Sequence, residues 1–170
     1  MPDYKRMWQA FGRTVQRREA TTPVKRQPRA QRLSKPYPGD FIGIPDLSYA
    51  PIADDLPDPG EVVWAWIPYQ EDHRQGKDRP ALIVGKDGDW LLGVMLTSQD
   101  HDLDREQENS EGRYWVEIGP GPWDKQYRVS EARVDRILRL DASGVRRIGG
   151  RLDESKFAAV VTGIRQHASG

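Results

Sequence analysis

Cysteine is absent from the 170-residue chain. That excludes disulfides, thiolate nucleophiles and Cys-ligated zinc, and it fits a reducing compartment. Histidine is scarce, and His73, His101 and His167 form no close pair. No apolar run approaches the ~18 residues of a membrane span. The N-terminus has no apolar signal core, so a cytoplasmic protein is expected. There is no G-x-S-x-G elbow, no Walker-type phosphate loop and no repeat at a solenoid period. Asp100, Asp102, Asp104 and Glu111 mimic a calcium loop, but Arg105 stands where that loop requires glycine. The run reads as a solvated acidic loop, and neither metal nor cofactor is expected. Hydrophobic residues make up only 36% of the chain and charged residues 31%, with 16 Gly and 13 Pro. One compact domain with an open appendage follows from that balance.

The net charge of zero conceals separated poles. Residues 1–40 carry ten Lys/Arg against Asp3, Glu19 and Asp40. Residues 41–60 carry no base and four acids, Asp46, Asp54, Asp55 and Asp58. Within residues 1–20, Tyr4, Met7, Trp8, Phe11 and Val15 recur at helical spacing among Lys, Arg and Gln, which predicts a basic amphipathic helix. Three uses compete for it: docking on the core domain, contact with an anionic membrane surface, and nucleic-acid binding. Residues 21–58 are dense in proline, from Pro23 to Pro57, and read as an extended linker or a strap over the core. The acidic stretch 41–60 also has the charge to lie across an anion-binding groove.

The domain over 59–170 begins after the Pro59-Gly60 turn. Glu61–Pro68 (EVVWAWIP), Ala81–Gly85 (ALIVG), Trp90–Leu96 (WLLGVML) and Tyr114–Ile118 (YWVEI) read as strands. Tyr69–Arg79 reads as a polar loop, and Lys86–Asp89 (KDGD) as a hairpin turn. Gly93 marks a bulge or a close backbone approach. Gly119–Pro122 reads as a turn. Ser130–Leu140 fits strand or helix equally by pattern. Leu152–Ile164 predicts a closing helix with Asp153 as N-cap. The class is mainly β, a small barrel or sandwich with a C-terminal helix.

The one chemistry that these residues offer is anion binding. Pro80 restricts Arg79 toward extended geometry, so that its planar fork can face a phosphate. Thr97 and Ser98 end a neighbouring strand and supply hydroxyls. Solvated turn residues are the competing account of both pairs.

Residues 60–85, GEVVWAWIPYQEDHRQGKDRPALIVG, followed by LLGVMLTSQ (91–99), resemble the PemK/MazF toxins of type II toxin–antitoxin systems. VDRILRLD (134–141) and RLDESKFAAVV (151–161) resemble that family's later blocks in the same order. The resemblance implies an SH3-like β-barrel with a C-terminal helix, usually a homodimer. It implies metal-independent cleavage of single-stranded RNA through a cyclic phosphate, and a cognate antitoxin. Carried over to this sequence, it places Arg79 and Thr97 at the scissile phosphate. It places the R-x-D pair Arg133 and Asp135, together with His73, in proton transfer and charge stabilisation. RNA-binding candidates are Ser98, Gln75, Lys77, Gln99 and Arg136. An arginine is a poor base because its pKa exceeds ~12, so Arg79 and Arg133 suit electrostatic roles and Asp135 or His73 the proton transfers. One or two of the tryptophans near loops could stack unpaired bases. The alternative is a non-catalytic SH3-like module that binds a protein or nucleic-acid partner in the same groove.

Overall fold

The computed structural model describes residue 33 and residues 35–52, 56–98 and 111–168. The expected basic helix over 1–20, the first part of the Pro-rich stretch, the acidic run Asp100–Asp104 and the candidate Gln99 lie outside the described residues.

Among the described residues, seven strands and one α-helix follow in order: β1 Glu61–Pro68, β2 Gly76–Asp87, β3 Trp90–Thr97, β4 Trp115–Gly119, β5 Ser130–Arg133, β6 Leu138–Asp141, β7 Arg147–Arg151 and α1 Glu154–His167. They form one antiparallel sheet in the order β4-β5-β3-β2-β1-β7, with β6 beside β3. The central strands are nearly all apolar because both faces of the sheet are covered. Strand alternation sends Leu82, Val84, Leu92 and Val94 to one side, where Phe157, Val160 and Ile164 of α1 meet them. Ala81 and Ile83 go to the other side, against Val63, Leu138 and Leu140. The β2–β3 hairpin turns at Gly88, whose φ of 58° is the left-handed geometry its Asp-Gly sequence favours. At Gly93 an added Cβ would lie 2.9 Å from Leu140 Cδ1 and 3.1 Å from the Leu82 carbonyl oxygen. The close approach expected there is present.

The sheet does not close into the expected barrel, since β4 and β7 end it without pairing. Helix α1 covers the β4 end: Lys156 Nζ donates to the Ile118 carbonyl at 2.9 Å, and Gly163 lies against Val116 and Val134. The Gly119–Trp123 turn covers the other end, with Pro122 and Trp123 against Gly149 and Gly150. One boundary differs from expectation: strand β2 starts at Gly76, so the polar loop spans only 69–75. Residues 130–140, open to either reading, resolve into two short strands, β5 and β6. Asp153 holds the expected N-cap position of α1, without a side-chain capping bond.

Residues 35–52 run along this sheet. The Phe41 N–H donates to the Ile137 carbonyl at 2.8 Å, and Phe41, Leu47 and Tyr49 pack on the core beside α1. The Tyr49 hydroxyl donates to the Leu152 carbonyl at 2.7 Å.

Candidate functional site

The site originates where β3 outruns β2. From Trp90 to Met95 that strand pairs with β2, ending at Ala81↔Met95. Its last two residues keep only the partner on the opposite edge, β5, at Leu96↔Ala132 and Thr97↔Glu131. Meanwhile β2 stays paired with β1 back to Gly76↔Pro68. The two strands therefore part, and a groove of about 730 Å³ opens where they do. Lys77–Pro80 line one side and Leu96–Ser98 the other. Pro80 is tolerated in β2 because β3 no longer borders it there, an edge position where a missing N–H needs no partner.

Arg79 lies two residues before the last β2–β3 pair and Thr97 two residues after it. Both line the groove, as do Lys77 and Ser98. The sheet thus brings four of the sequence candidates together. Among the described residues Arg79 has no hydrogen-bond or ion-pair partner. Its guanidinium is left for a ligand, in contrast to every other arginine discussed below.

The groove is basic although the domain is not. Among the described residues, Lys77, Arg79, Lys125, Arg128 and Arg146 line it against Asp78 and Asp124. Asp78 pairs with Arg146 at 2.6 Å, and Asp124 with Arg128 at 2.9 Å. Burial alone would raise the Asp124 carboxyl, but the Gln126 N–H and the Arg128 guanidinium outweigh it and hold the carboxyl below its usual range. Two neutral pairs leave Lys77, Arg79 and Lys125 as the excess positive charge. Two tryptophans also line the groove. Trp123 is only 2% exposed and donates from its indole N–H to Ser130 Oγ at 3.0 Å, so it is wall. Trp64 is half-buried, with surface left for a ligand.

The other described sequence candidates do not line this groove. Arg133 and Asp135 form a buried pair, each side chain 8% exposed. Arg133 Nε reaches both Asp135 oxygens at 3.1 Å, and Nη2 donates to Gln70 Oε1 at 2.8 Å. The Tyr114 N–H donates to Asp135 Oδ1 at 2.9 Å. Glu131 and Arg133 are two apart on β5 and so share a face. Because Glu131 pairs with Thr97, the Arg133–Asp135 pair stands one step along the sheet from the Thr97 end of the groove.

Arg136 is equally buried and belongs to a separate cluster. Its Nε donates to Asp40 Oδ2 at 2.8 Å, and its Nη2 to Asp40 Oδ1 at 3.2 Å and to the Pro68 carbonyl at 2.9 Å. The Tyr37 hydroxyl donates to Asp40 Oδ1 at 2.6 Å. The His73 ring meets the Tyr37 ring edge-on at 4.9 Å. Burial works against the Asp40 charge, but hydrogen bonds from Arg136 and Tyr37, with the charges of Arg136 and His73, hold its carboxyl below the usual value. Burial and the Asp40 bond push the Tyr37 phenol well up. Gln75 is exposed, and its backbone closes the 69–75 loop with Tyr69 and Asp72. None of the described residues of the acidic 41–60 stretch lines the groove, so those residues do not lie across it.

Sequence reasoning missed the turn at 123–128 and Arg146, which complete the groove from far along the chain, and Glu131, the buried partner of Thr97. The Gly-Pro-Gly-Pro turn followed by Lys125 and Arg128 was the signal for the first. Nothing local pointed to the others.

A family model described as PemK-like, MazF-like toxin of type II toxin–antitoxin system matches residues 58–168. Comparison with curated proteins finds no match.

Proposed function

The chain belongs to the PemK-like, MazF-like toxin family of type II toxin–antitoxin systems, and from that premise we propose that it cleaves single-stranded RNA without a metal. The 2′-hydroxyl of a ribose gives up its proton and attacks the adjacent phosphorus. The bond to the 5′-oxygen breaks, and that oxygen takes a proton. The products are a 2′,3′-cyclic phosphate and a 5′-hydroxyl. Negative charge grows on the non-bridging oxygens along this path, and fixed donors aimed at it lower the barrier.

The observation that carries this function is Arg79 beside Thr97 in a basic groove, with no acidic partner for the guanidinium among the described residues. Arg79 takes the charge of the transition state. Thr97 and Ser98 orient the phosphate through their hydroxyls, and Lys77 holds the strand. Asp135, held by Arg133 one step along the sheet from Thr97, is the proton-transfer group, while His73, Gln75 and Arg136 stand outside the groove and support the 69–75 loop. The cognate antitoxin covers the groove in the resting system, and the toxin works as a homodimer in the cytoplasm.

Arg79→Ala is the sharp test. Its side chain has no partner among the described residues, so its loss changes stability by no more than about 0.5 kcal/mol. Cleavage of a defined RNA in EDTA, followed by mapping of the ends, should fall by at least about 100-fold, the scale of one lost charge-stabilising donor. Undiminished cleavage removes Arg79 from the mechanism. Asp135→Ala is a poorer test, because it strands Arg133 and the Tyr114 N–H in a buried site at a cost of about 3–5 kcal/mol.

One observation favours the non-catalytic alternative. Both Asp135 oxygens are already occupied by Arg133 and Tyr114. RNA that is bound but left intact by the wild-type protein would decide for a binding module.

A further inference from the structure

Nothing in the family match or in the sequence candidates assigns a role to the turn between β4 and β5. Three observations single it out. First, Asp124, Lys125, Gln126 and Arg128 form a wall of the groove facing the Arg79 side. Lys125 is exposed and has no hydrogen-bond or ion-pair partner among the described residues. Second, Tyr127 has a φ of 50°, a left-handed conformation that a bulky residue adopts only when its surroundings impose it. Asp124 imposes it: its carbonyl accepts the Tyr127 N–H at 3.0 Å, and its carboxylate accepts the Gln126 N–H and Arg128 Nε, each at 2.9 Å. Third, the strained residue is an aromatic left 61% exposed, with Val129 beside it at 49%. Tyr127 does not itself line the groove, but its chain neighbours Gln126 and Arg128 do, so the fold holds a tyrosine out of the core, at a conformational cost, next to a basic groove.

We propose that the Trp123–Arg128 turn is a second RNA-contacting wall that holds the nucleotide next to the scissile linkage, its phosphate on Lys125 and its base on Tyr127. This rests on the ribonuclease function and deepens it. A single strand that passes Arg79 must place its next phosphate within one nucleotide, and the cation across the groove is Lys125. An unpaired base stacks on any aromatic face, and Tyr127 offers one without first having to be exposed. Asp124 acts through the turn as a positioning residue and touches no substrate.

The test uses the full-length chain and a single-stranded RNA with a 2′-deoxy substitution that blocks cleavage at the mapped site. Lys125→Ala should flatten the slope of log affinity against log salt by roughly 0.7, the share of one phosphate contact on a single strand. On cleavable RNA it should raise KM and spare kcat. Tyr127→Ala should weaken binding by about tenfold, within the range of a lost stacking contact, and Tyr127→Phe should restore it. If both alanine variants bind like the wild type at every salt concentration, the second wall is overturned while the ribonuclease function stands. If the wild type binds the RNA but leaves cleavable RNA intact, the ribonuclease function fails and the slopes still decide the wall. If the wild type binds no RNA, both fall.

Discussion

Arginines of identical chemistry are put to opposite uses here, and their partners decide which. Arg133, Arg136 and Arg139 each meet a carboxylate inside the structure. Arg79 meets none among the described residues and is left for a ligand. The Arg136 cluster has a pH signature. Asp40→Asn should destabilise the protein by about 2 kcal/mol at pH 7, because it removes charge-assisted bonds to a buried guanidinium. The Asp40 carboxyl is held below its usual value in the folded state. Its stabilising effect is therefore fully present above the unfolded value of ~3.9 and is lost as pH falls toward the folded one. Urea midpoints of wild type and variant should differ at pH 7 and 5 and converge as pH drops below about 4. A gap that persists undiminished at pH 2 would show that ionised Asp40 is not its source. The Tyr37 phenol shifts the other way, so its contribution is present below ~10 and is lost as pH rises beyond that.

Among the elements, what could be read from the sequence was what local chemistry decides. β1, β3 and the hairpin between β2 and β3 were legible because continuous apolar runs meet an Asp-Gly turn. The closing helix was legible from Phe157, Val160 and Ile164. The 130–140 stretch was not, because β5 and β6 are four residues each, and Arg133 at the end of β5 with Asp135 and Arg136 after it follow neither period. β7, RIGGR, has almost no strand propensity and forms because β1 offers it an edge. The site divides in the same way. Arg79 and Thr97 were legible from their neighbours Pro80 and Ser98, whereas the groove's far wall depends on where β3 leaves β2, a register property invisible locally. Gly85 tests one such long-range contact. A Cβ there would lie 2.6 Å from the Asp46 carbonyl oxygen. Gly85→Ala should push the 41–52 segment off β2 and speed limited proteolysis within it several-fold, with the groove and RNA cleavage retained. Proteolysis at the wild-type rate would mean that the segment is held elsewhere.

At the scale of the whole molecule, the boundary of the family match and the boundary of the folded unit do not coincide. The match begins at residue 58, yet residues before it complete the interior. Tyr37 and Asp40 close over Arg136, and the carbonyls of Gly39 and Asp40 accept from Arg139 Nη1 at 2.9 and 3.0 Å. Phe41, Leu47 and Tyr49 cover core residues beside α1. A chain that starts at residue 58 leaves two arginines in protein-lined sites without Asp40 or those carbonyls. It also uncovers apolar surface worth about 25 cal/mol per Å². Breaking a buried ion pair from one side alone costs about 3–5 kcal/mol, a large part of the 5–15 kcal/mol that holds a typical domain folded. The truncated chain should therefore unfold at a much lower urea concentration than the full chain, or fail to fold, as followed by tryptophan fluorescence. Arg136→Met in the truncated chain should recover part of the loss, since it removes the stranded charge while keeping the volume. Equal midpoints for full and truncated chains would show that the domain is complete without residues 35–52, and that their contacts follow from the fold without supporting it.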